Sequence, residues 1–284
     1  MSPRAFRVLT HGRPSEVAEG LERLGRAAGE LDIELRFDHE ETRKHGLTAR
    51  PGVAVDADGD DGVELAFVLG GDGTILRALR RFSGTEVAVL AVNFGEVGFL
   101  ATLEADRVEE AVRRACAGDF ELMRLPGLLV EGAQAGRDLA LNDVSFHRRA
   151  GKRVAELSYS LDETEVGSVR CDGLVVSTPA GSTGYNLANG GPVLAWGVEG
   201  FVVSFIAPHA LTARPLVAAP ADLVTVYNRS RCAVDVSLDG RLVGELAPGG
   251  ESRARFVHDA GLLAQLPGSS FYRRLREKFG ELSR

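Results

Sequence analysis

A run of apolar residues, Leu65 to Leu69, breaks into Gly70-Gly71-Asp72-Gly73-Thr74 and resumes as Ile75-Leu76-Arg77-Ala78-Leu79-Arg80-Arg81, with apolar positions at helical spacing. That order predicts a strand, a tight turn and a helix. Three glycines in four positions let backbone N–H groups come close to a ligand and permit positive φ. The helix that follows points its positive end at the turn, so the turn suits phosphate oxygens. Asp72 is the informative residue, because an acid beside a phosphate is unfavourable unless it binds a metal or takes a proton. It is the first catalytic candidate. The competing reading is an ordinary strand-to-helix turn in which the glycines serve geometry and Asp72 caps the helix. No Gly-Lys-Ser/Thr follows, so the turn is not a Walker loop, and it is not G-x-G-x-x-G.

Around this turn, strand and helix patterns alternate. Residues 5–9 read as a strand and Ser15 to Leu31 as an amphipathic helix, with Val17, Leu21, Leu24 and Ala28 on one stripe. Ile33 to Phe37 reads as a second strand, and most of residues 38–62, rich in Asp, Glu, Gly and Thr, as a loop. Val87 to Val92 is another strand, followed by Asn93 to Leu100 and a helix from about Ala105 to Cys116. Such alternation implies a parallel sheet whose ligands bind at the carboxyl ends of its strands.

Beyond Phe120 the pattern changes to short β-prone runs: Gly127 to Glu131, Leu139 to His147, Val154 to Leu161, Leu174 to Ser177, Phe201 to Ile206, Leu223 to Tyr227 and Ala233 to Leu238. The expected fold class is α/β plus all-β. A Rossmann-like α/β domain covers 1–120, an antiparallel β domain covers 121–265, and a last helix within 266–284 packs back on the first domain.

A chain of 284 residues is long enough for two domains. No apolar run approaches a membrane span and no signal peptide opens the sequence, so a cytoplasmic location is expected. Cys116, Cys171 and Cys232 lie far apart without C-x-x-C spacing, which argues against a disulfide framework or a zinc site and reads as small core residues. A net charge of −7 disfavours nucleic-acid binding and leaves an anionic ligand dependent on a local basic site. Two runs qualify, Arg77/Arg80/Arg81 and His147 to Arg153, although such runs are more often solvated faces.

The second motif is Cys171-Asp172-Gly173-Leu174-Val175-Val176-Ser177-Thr178-Pro179-Ala180-Gly181-Ser182-Thr183-Gly184-Tyr185, continuing to Pro192. Hydroxyls, glycines and one aromatic ring packed after a strand suit a nucleoside, the alternative being an unliganded Ser/Thr/Gly loop. With the first motif it resembles the NAD kinases of the GGDGT kinase superfamily, which also holds diacylglycerol and sphingosine kinases and, more distantly, phosphofructokinases. Asn93 to Leu100 is similar to that family's N-x-G-x-x-GFL, Leu141-Asn142-Asp143 to its LNE, and Pro208 to Pro215 to its PHSL-x-x-RP.

The resemblance implies transfer of the ATP γ-phosphoryl group to the 2′-hydroxyl of the adenosine ribose of NAD, with a divalent metal such as Mg²⁺, in a homodimer or homotetramer. It makes Asp72 the proton acceptor and sets Gly71 and Gly73 at the substrate. It gives Asn142, Asp143 and Asp172 roles in holding NAD, and lines the nucleotide with Thr183, Gly184, Tyr185, Asn186, Leu187 and Ala188. Arg77, Arg153 and Arg170 match ligand-contacting positions by spacing. The chain departs from the pattern at Asp143 for Glu, Ala180 for Thr and Gly184 for Ala, and His209 stays outside the catalytic set. The rivals are a lipid kinase, disfavoured by the hydroxyl-rich second motif, and a non-catalytic nucleotide sensor, disfavoured by Asp72.

Overall fold

The computed structural model describes residues 4–95, 98–101, 103–132 and 138–280. The chain divides into two compact units, one of residues 1–124 and 261–284, the other of residues 125–260. The first ten elements are β1 (Arg4–Thr10), α1 (Pro14–Glu30), β2 (Ile33–Arg36), α2 (His39–His45), β3 (Val53–Ala54), β4 (Val63–Leu69), α3 (Asp72–Arg81), β5 (Ala88–Asn93), β6 (Leu103–Glu104) and α4 (Val108–Ala117). There follow β7 (Glu121–Glu131), β8 (Asp138–Ala140), β9 (Asp143–Arg148), β10 (Ala155–Leu161), β11 (Thr164–Cys171), β12 (Gly173–Ser177), α5 (Tyr185–Ala188) and β13 (Phe201–Ile206). The chain closes with β14 (Leu216–Ala218), β15 (Leu223–Asn228), β16 (Val234–Leu238), β17 (Arg241–Leu246), β18 (Glu251–Gln265) and α6 (Phe271–Phe279).

In the first unit the strands run parallel in the order β18–β5–β4–β1–β2–β3, with β18 entering through Leu263 and Ala264 beside Val89 and Leu90. Five consecutive buried residues, Leu65 to Leu69, put β4 in the middle, since a parallel strand is covered on both faces. Helix α1 buries Val17, Gly20, Leu24 and Ala28, and α4 buries Val108, Ala111, Val112 and Ala115, each on a stripe of three- and four-residue steps. Because β1, β4 and β5 are adjacent, the segments that follow them leave the same carboxyl edge of the sheet. That adjacency positions the cavity of the first unit.

The second unit holds an antiparallel six-stranded sheet, β14–β13–β12–β9–β16–β17, and antiparallel pairings in the order β11–β10–β15–β18. Its core includes Val144, Phe146, Leu174, Val176, Phe201, Val203, Val224 and Val226. The register sets Asp143 of β9 opposite Ser177 of β12 and Val144 opposite Leu238 of β16. The Asn142-Asp143 pair, the start of the hydroxyl-rich segment and Asp239 therefore share one end of this sheet.

The structure adds to the sequence reading at four points. Most of residues 38–62 lie outside helices and strands, and within them His39–His45 form α2. Asp38 accepts a hydrogen bond from the Glu41 amide (2.9 Å) and Gly46 closes the helix at φ 59°. Leu139 to His147 is two strands, broken at Leu141-Asn142 where Asp239 takes the backbone amides. Beyond residue 120, β11, β14, β17 and the fifteen-residue β18 lie outside the strands named from the sequence. Finally, Cys171 is buried but Cys232 is exposed, so the cysteines are not uniformly core residues.

The last helix does return to the first unit. Phe271 and Phe279 place their rings 6.0 and 5.9 Å from that of Phe99. Among the described residues, no helix is long and apolar enough to cross a membrane.

Candidate active site

The glycine turn opens on a cavity of about 510 Å³ lined by His11, Gly12, Arg13, Gly71, Asp72, Gly73, Thr74, Gly95, Gly98 and Lys278. None of Gly70, Gly71 and Gly73 has positive φ, contrary to the conformational freedom expected of them, and of the three only Gly70 is needed for space. A Cβ on Gly70 would lie 2.6 Å from the Thr74 hydroxyl, whereas Gly71 and Gly73 have nothing within 4 Å and face open space. Helix α3 starts there with no side-chain cap, which leaves first-turn amides for an anion.

Asp72 is not a helix cap. Its two carboxylate oxygens accept hydrogen bonds from the backbone N–H groups of Phe99 (2.9 Å) and Leu100 (3.2 Å), on the segment after β5. A Cβ on Gly98 would overlap that carboxylate, so only glycine fits. Each oxygen still has a lone pair with which to take a proton.

Arg77 turns away from this cavity. It donates to Glu41 (2.8 Å), Glu40 (3.2 Å) and the Thr10 carbonyl (2.9 Å), while Arg81 pairs with Asp38 (2.6 Å) and Asp60 (2.8 Å). Glu41 is buried and also accepts from the amide and hydroxyl of Thr10. Two members of the basic run on α3 thus tie α2 and the 56–61 segment to the sheet.

In the second unit Asp143 is 7% exposed. Burial pushes its carboxyl up to about 7, and the nearby charge of Asp239 adds to the rise. Asp239 accepts from the amides of Leu141 (3.0 Å), Asn142 (2.7 Å) and Asp143 (3.2 Å) and so fixes the strand break that presents the pair. The Asn142 carbonyl accepts from the Thr178 amide (2.8 Å), and its side-chain oxygen is buried with no partner among the described residues. A Cβ on Gly181 would overlap the Asn142 backbone, which explains that glycine.

The rest of the motif divides by environment. Tyr185 stacks on His147 with ring centroids 5.2 Å apart, and burial, aided by the charges of Asp143 and Asp172, raises its phenol. Asn186 is fully buried and donates to the carbonyls of Ser182 (3.0 Å) and Pro192 (2.9 Å), so its amide staples the loop. Thr183 and Leu187 are half-buried, while Gly184 and Ala188 are exposed. Asp172 pairs with Arg148. Arg153 and Arg170 line a separate recess of about 280 Å³ together with Glu156, Arg229, Arg231 and Cys232. In the basic run 147–153, Arg148 and Arg149 are thus committed to acids, Arg149 to Asp235 (2.7 Å) and Glu245.

Among the described residues no three His, Cys, Asp or Glu side chains gather as a metal cage. A hard cation carried on phosphate oxygens and completed by water with one carboxylate fits this donor set, and Asp72 is the carboxylate lining the cavity.

The family model of the ATP-NAD kinase N-terminal domain matches residues 15–120, and that of the ATP-NAD kinase C-terminal domain matches residues 141–258. An NAD kinase of Gemmatimonas aurantiaca is 38% identical over 229 residues, covering 78% of each chain. The chain belongs to the NAD kinase family. An NAD kinase of Bifidobacterium longum subsp. infantis is 35% identical over 294 aligned positions, spanning 98% of this chain and 83% of the relative. Yeast NADH kinase, solved with NADH, has a TM-score of 0.88 at 20% identity and covers all of this chain and 89% of its own. An NAD kinase from Archaeoglobus fulgidus, solved with ATP, has a TM-score of 0.74 at 24% identity and 98% coverage of both chains. These two structures share the fold.

In this chain the cavity has residues that the motifs do not announce. His11 and Arg13 follow β1, and their position was readable once β1 was set beside β4, because both loops leave the same edge. Lys278 comes from α6, some two hundred residues away, with no local signal.

Proposed function

We propose that this NAD kinase family member transfers the γ-phosphoryl group of ATP to the 2′-hydroxyl of the adenosine ribose of NAD, giving NADP. The observation that carries the mechanism is Asp72, which lines the cavity at the glycine turn with both oxygens oriented by backbone N–H groups. Phosphoryl transfer asks the protein mainly for positioning, charge neutralisation and a group to take the acceptor proton. Asp72 takes that proton. The amides at Gly71 and Gly73 and the positive end of α3 receive phosphate oxygens. Mg²⁺, entering on the donor, would neutralise charge on the transferring group.

In the second unit, Asn142 offers its unpartnered side-chain oxygen to a donor on the nucleoside, and Asp143 and Asp172 accept from ribose hydroxyls or an amide. Residues 183–188 line the nucleotide, chiefly through Thr183, Gly184, Tyr185 and backbone. Arg153 and Arg170 supply positive charge from their recess, and Arg77 contributes only by exchanging its exposed contact with Glu40. A cytoplasmic homodimer or homotetramer completes the reading.

The test is an assay of the purified chain with NAD and Mg²⁺, first with ATP and then with inorganic polyphosphate, followed by detection of NADP. NADP with ATP is expected. Tight binding of NAD without NADP from either donor would favour a nucleotide sensor.

A further inference from the structure

The carboxylate of Asp72 is held by the amides of Phe99 and Leu100, and the carbonyls of the same two residues are held from elsewhere. Arg274 of α6 donates to the Phe99 carbonyl, and Gln265, at the end of β18, donates through Nε2 to the Leu100 carbonyl (3.3 Å). Arg274 also donates to Gln265 Oε1 (3.1 Å), which joins the two supports. All of these groups belong to the first unit. Arg274 is 8% exposed and Gln265 2%.

Placing a guanidinium in such surroundings is costly unless its charge and donors are used. Burial pushes Arg274 down to about 10, and among the acids that oppose the drop Asp72 acts most strongly, so Arg274 stays cationic at neutral pH. An apolar side chain of similar volume would bury α6 more cheaply. The helix is already anchored by Phe271 and Phe279 against Phe99, and Lys278 lies 4.9 Å from the same ring. The face of α6 that meets the 98–100 segment thus carries more polar chemistry than docking requires.

We infer that Arg274 and Gln265 are positioning residues for phosphoryl transfer: they fix the Phe99-Leu100 backbone, whose N–H groups aim the Asp72 carboxylate at the acceptor hydroxyl. This rests on Asp72 acting as the proton acceptor. It makes the C-terminal helix part of the catalytic apparatus through the backbone of a segment that lies 27 and 28 residues beyond Asp72 in the chain. Loss of the supports leaves Asp72 in place but free to turn, and misplacement of that order lowers turnover by about 10- to 100-fold.

The test compares Arg274→Met, Arg274→Lys and Gln265→Met with the parent and with Leu24→Ala, a destabilising control in the buried face of α1. Steady-state kcat, KM for NAD, the Kd for NADP and melting temperature are measured for each. Arg274→Met is expected to lower kcat about 10- to 100-fold with KM and Kd within three-fold of the parent, and Arg274→Lys to recover part of the loss. Gln265→Met is expected to show a smaller loss of the same kind, and Leu24→Ala to keep its kcat despite a lower melting temperature. If Arg274→Met does not fold, Arg274→Lys and Gln265→Met decide. A kcat within two-fold of the parent in every folded clamp variant overturns the inference, as does an equal kcat loss in Leu24→Ala. A parent that makes no NADP overturns the functional reading first, and the inference falls with it.

Discussion

Asp143 shows how one residue's surroundings set its chemistry. Its carboxyl is raised to about 7 from 3.8 by burial, with Asp239 adding to the shift. The folded state therefore holds a proton on Asp143 between about pH 4 and pH 7 that the unfolded state has released. The sign follows directly: stability contributed here is greatest below pH 4 and is lost as pH rises through 7, by up to about 1.4 kcal/mol per pH unit. Asp143→Asn, which mimics the protonated form, is expected to remove this slope. Chemical denaturation of parent and variant from pH 4 to pH 8 measures it, and equal slopes would mean that Asp143 ionises freely in the fold. The identity of this acid was legible from its motif, but its raised affinity for a proton was not, because Asp239 lies nearly a hundred residues away. Asp72 is the same kind of case: the turn named it, while the amides that orient it come from the segment after β5.

Elements were legible where periodicity and length agreed. The run Leu65 to Leu69 followed by α3, the stripes of α1 and α4, and the final helix all carry strong patterns. Those that were missed carry their signal in punctuation. Helix α2 is seven polar residues with no apolar stripe, yet Asp38 stands three residues before Glu41 and Gly46 follows its last turn. The hairpin of β16 and β17 is marked only by Asp239-Gly240, both at positive φ, the pair that such turns favour. β18 alternates buried and exposed residues only over its first half, and its last residues are continuously buried, with Leu263 and Ala264 beside the parallel strand β5.

The α2 cap can be tested by itself. Asp38→Ala loses the cap and the Arg81 partner and is expected to destabilise by about 1–2 kcal/mol, lowering Tm by a few degrees. Asp38→Asn keeps a good cap and loses only the ion pair, so its loss in differential scanning calorimetry should be the smaller. Equal losses would assign the effect to the ion pair.

For the whole molecule, the change from alternating strands and helices to short strands near residue 120 was enough to expect two structural classes in one chain. What the pattern could not supply was the return of the last strand to the first unit, because β18 serves both units and its residues give no sign of changing partners. Function was legible for a different reason. Phosphate-binding turns and nucleoside loops need glycines at fixed places, and Gly98 and Gly181 each leave room that any Cβ would close. Such positions survive as motifs, whereas supports such as Arg274 and Lys278 leave none.

The most direct measurement is turnover of NAD to NADP, with ATP and Mg²⁺, by the parent and by Asp72→Asn. Asn keeps the shape and the helix-starting tendency but cannot take the proton. If Asp72 is the proton acceptor, the variant should fold, bind NAD nearly as well as the parent and lose about 10²–10⁴-fold in kcat. A folded Asp72→Asn that turns over within a few-fold of the parent would contradict it, and the glycine turn would remain a phosphate cradle without a base.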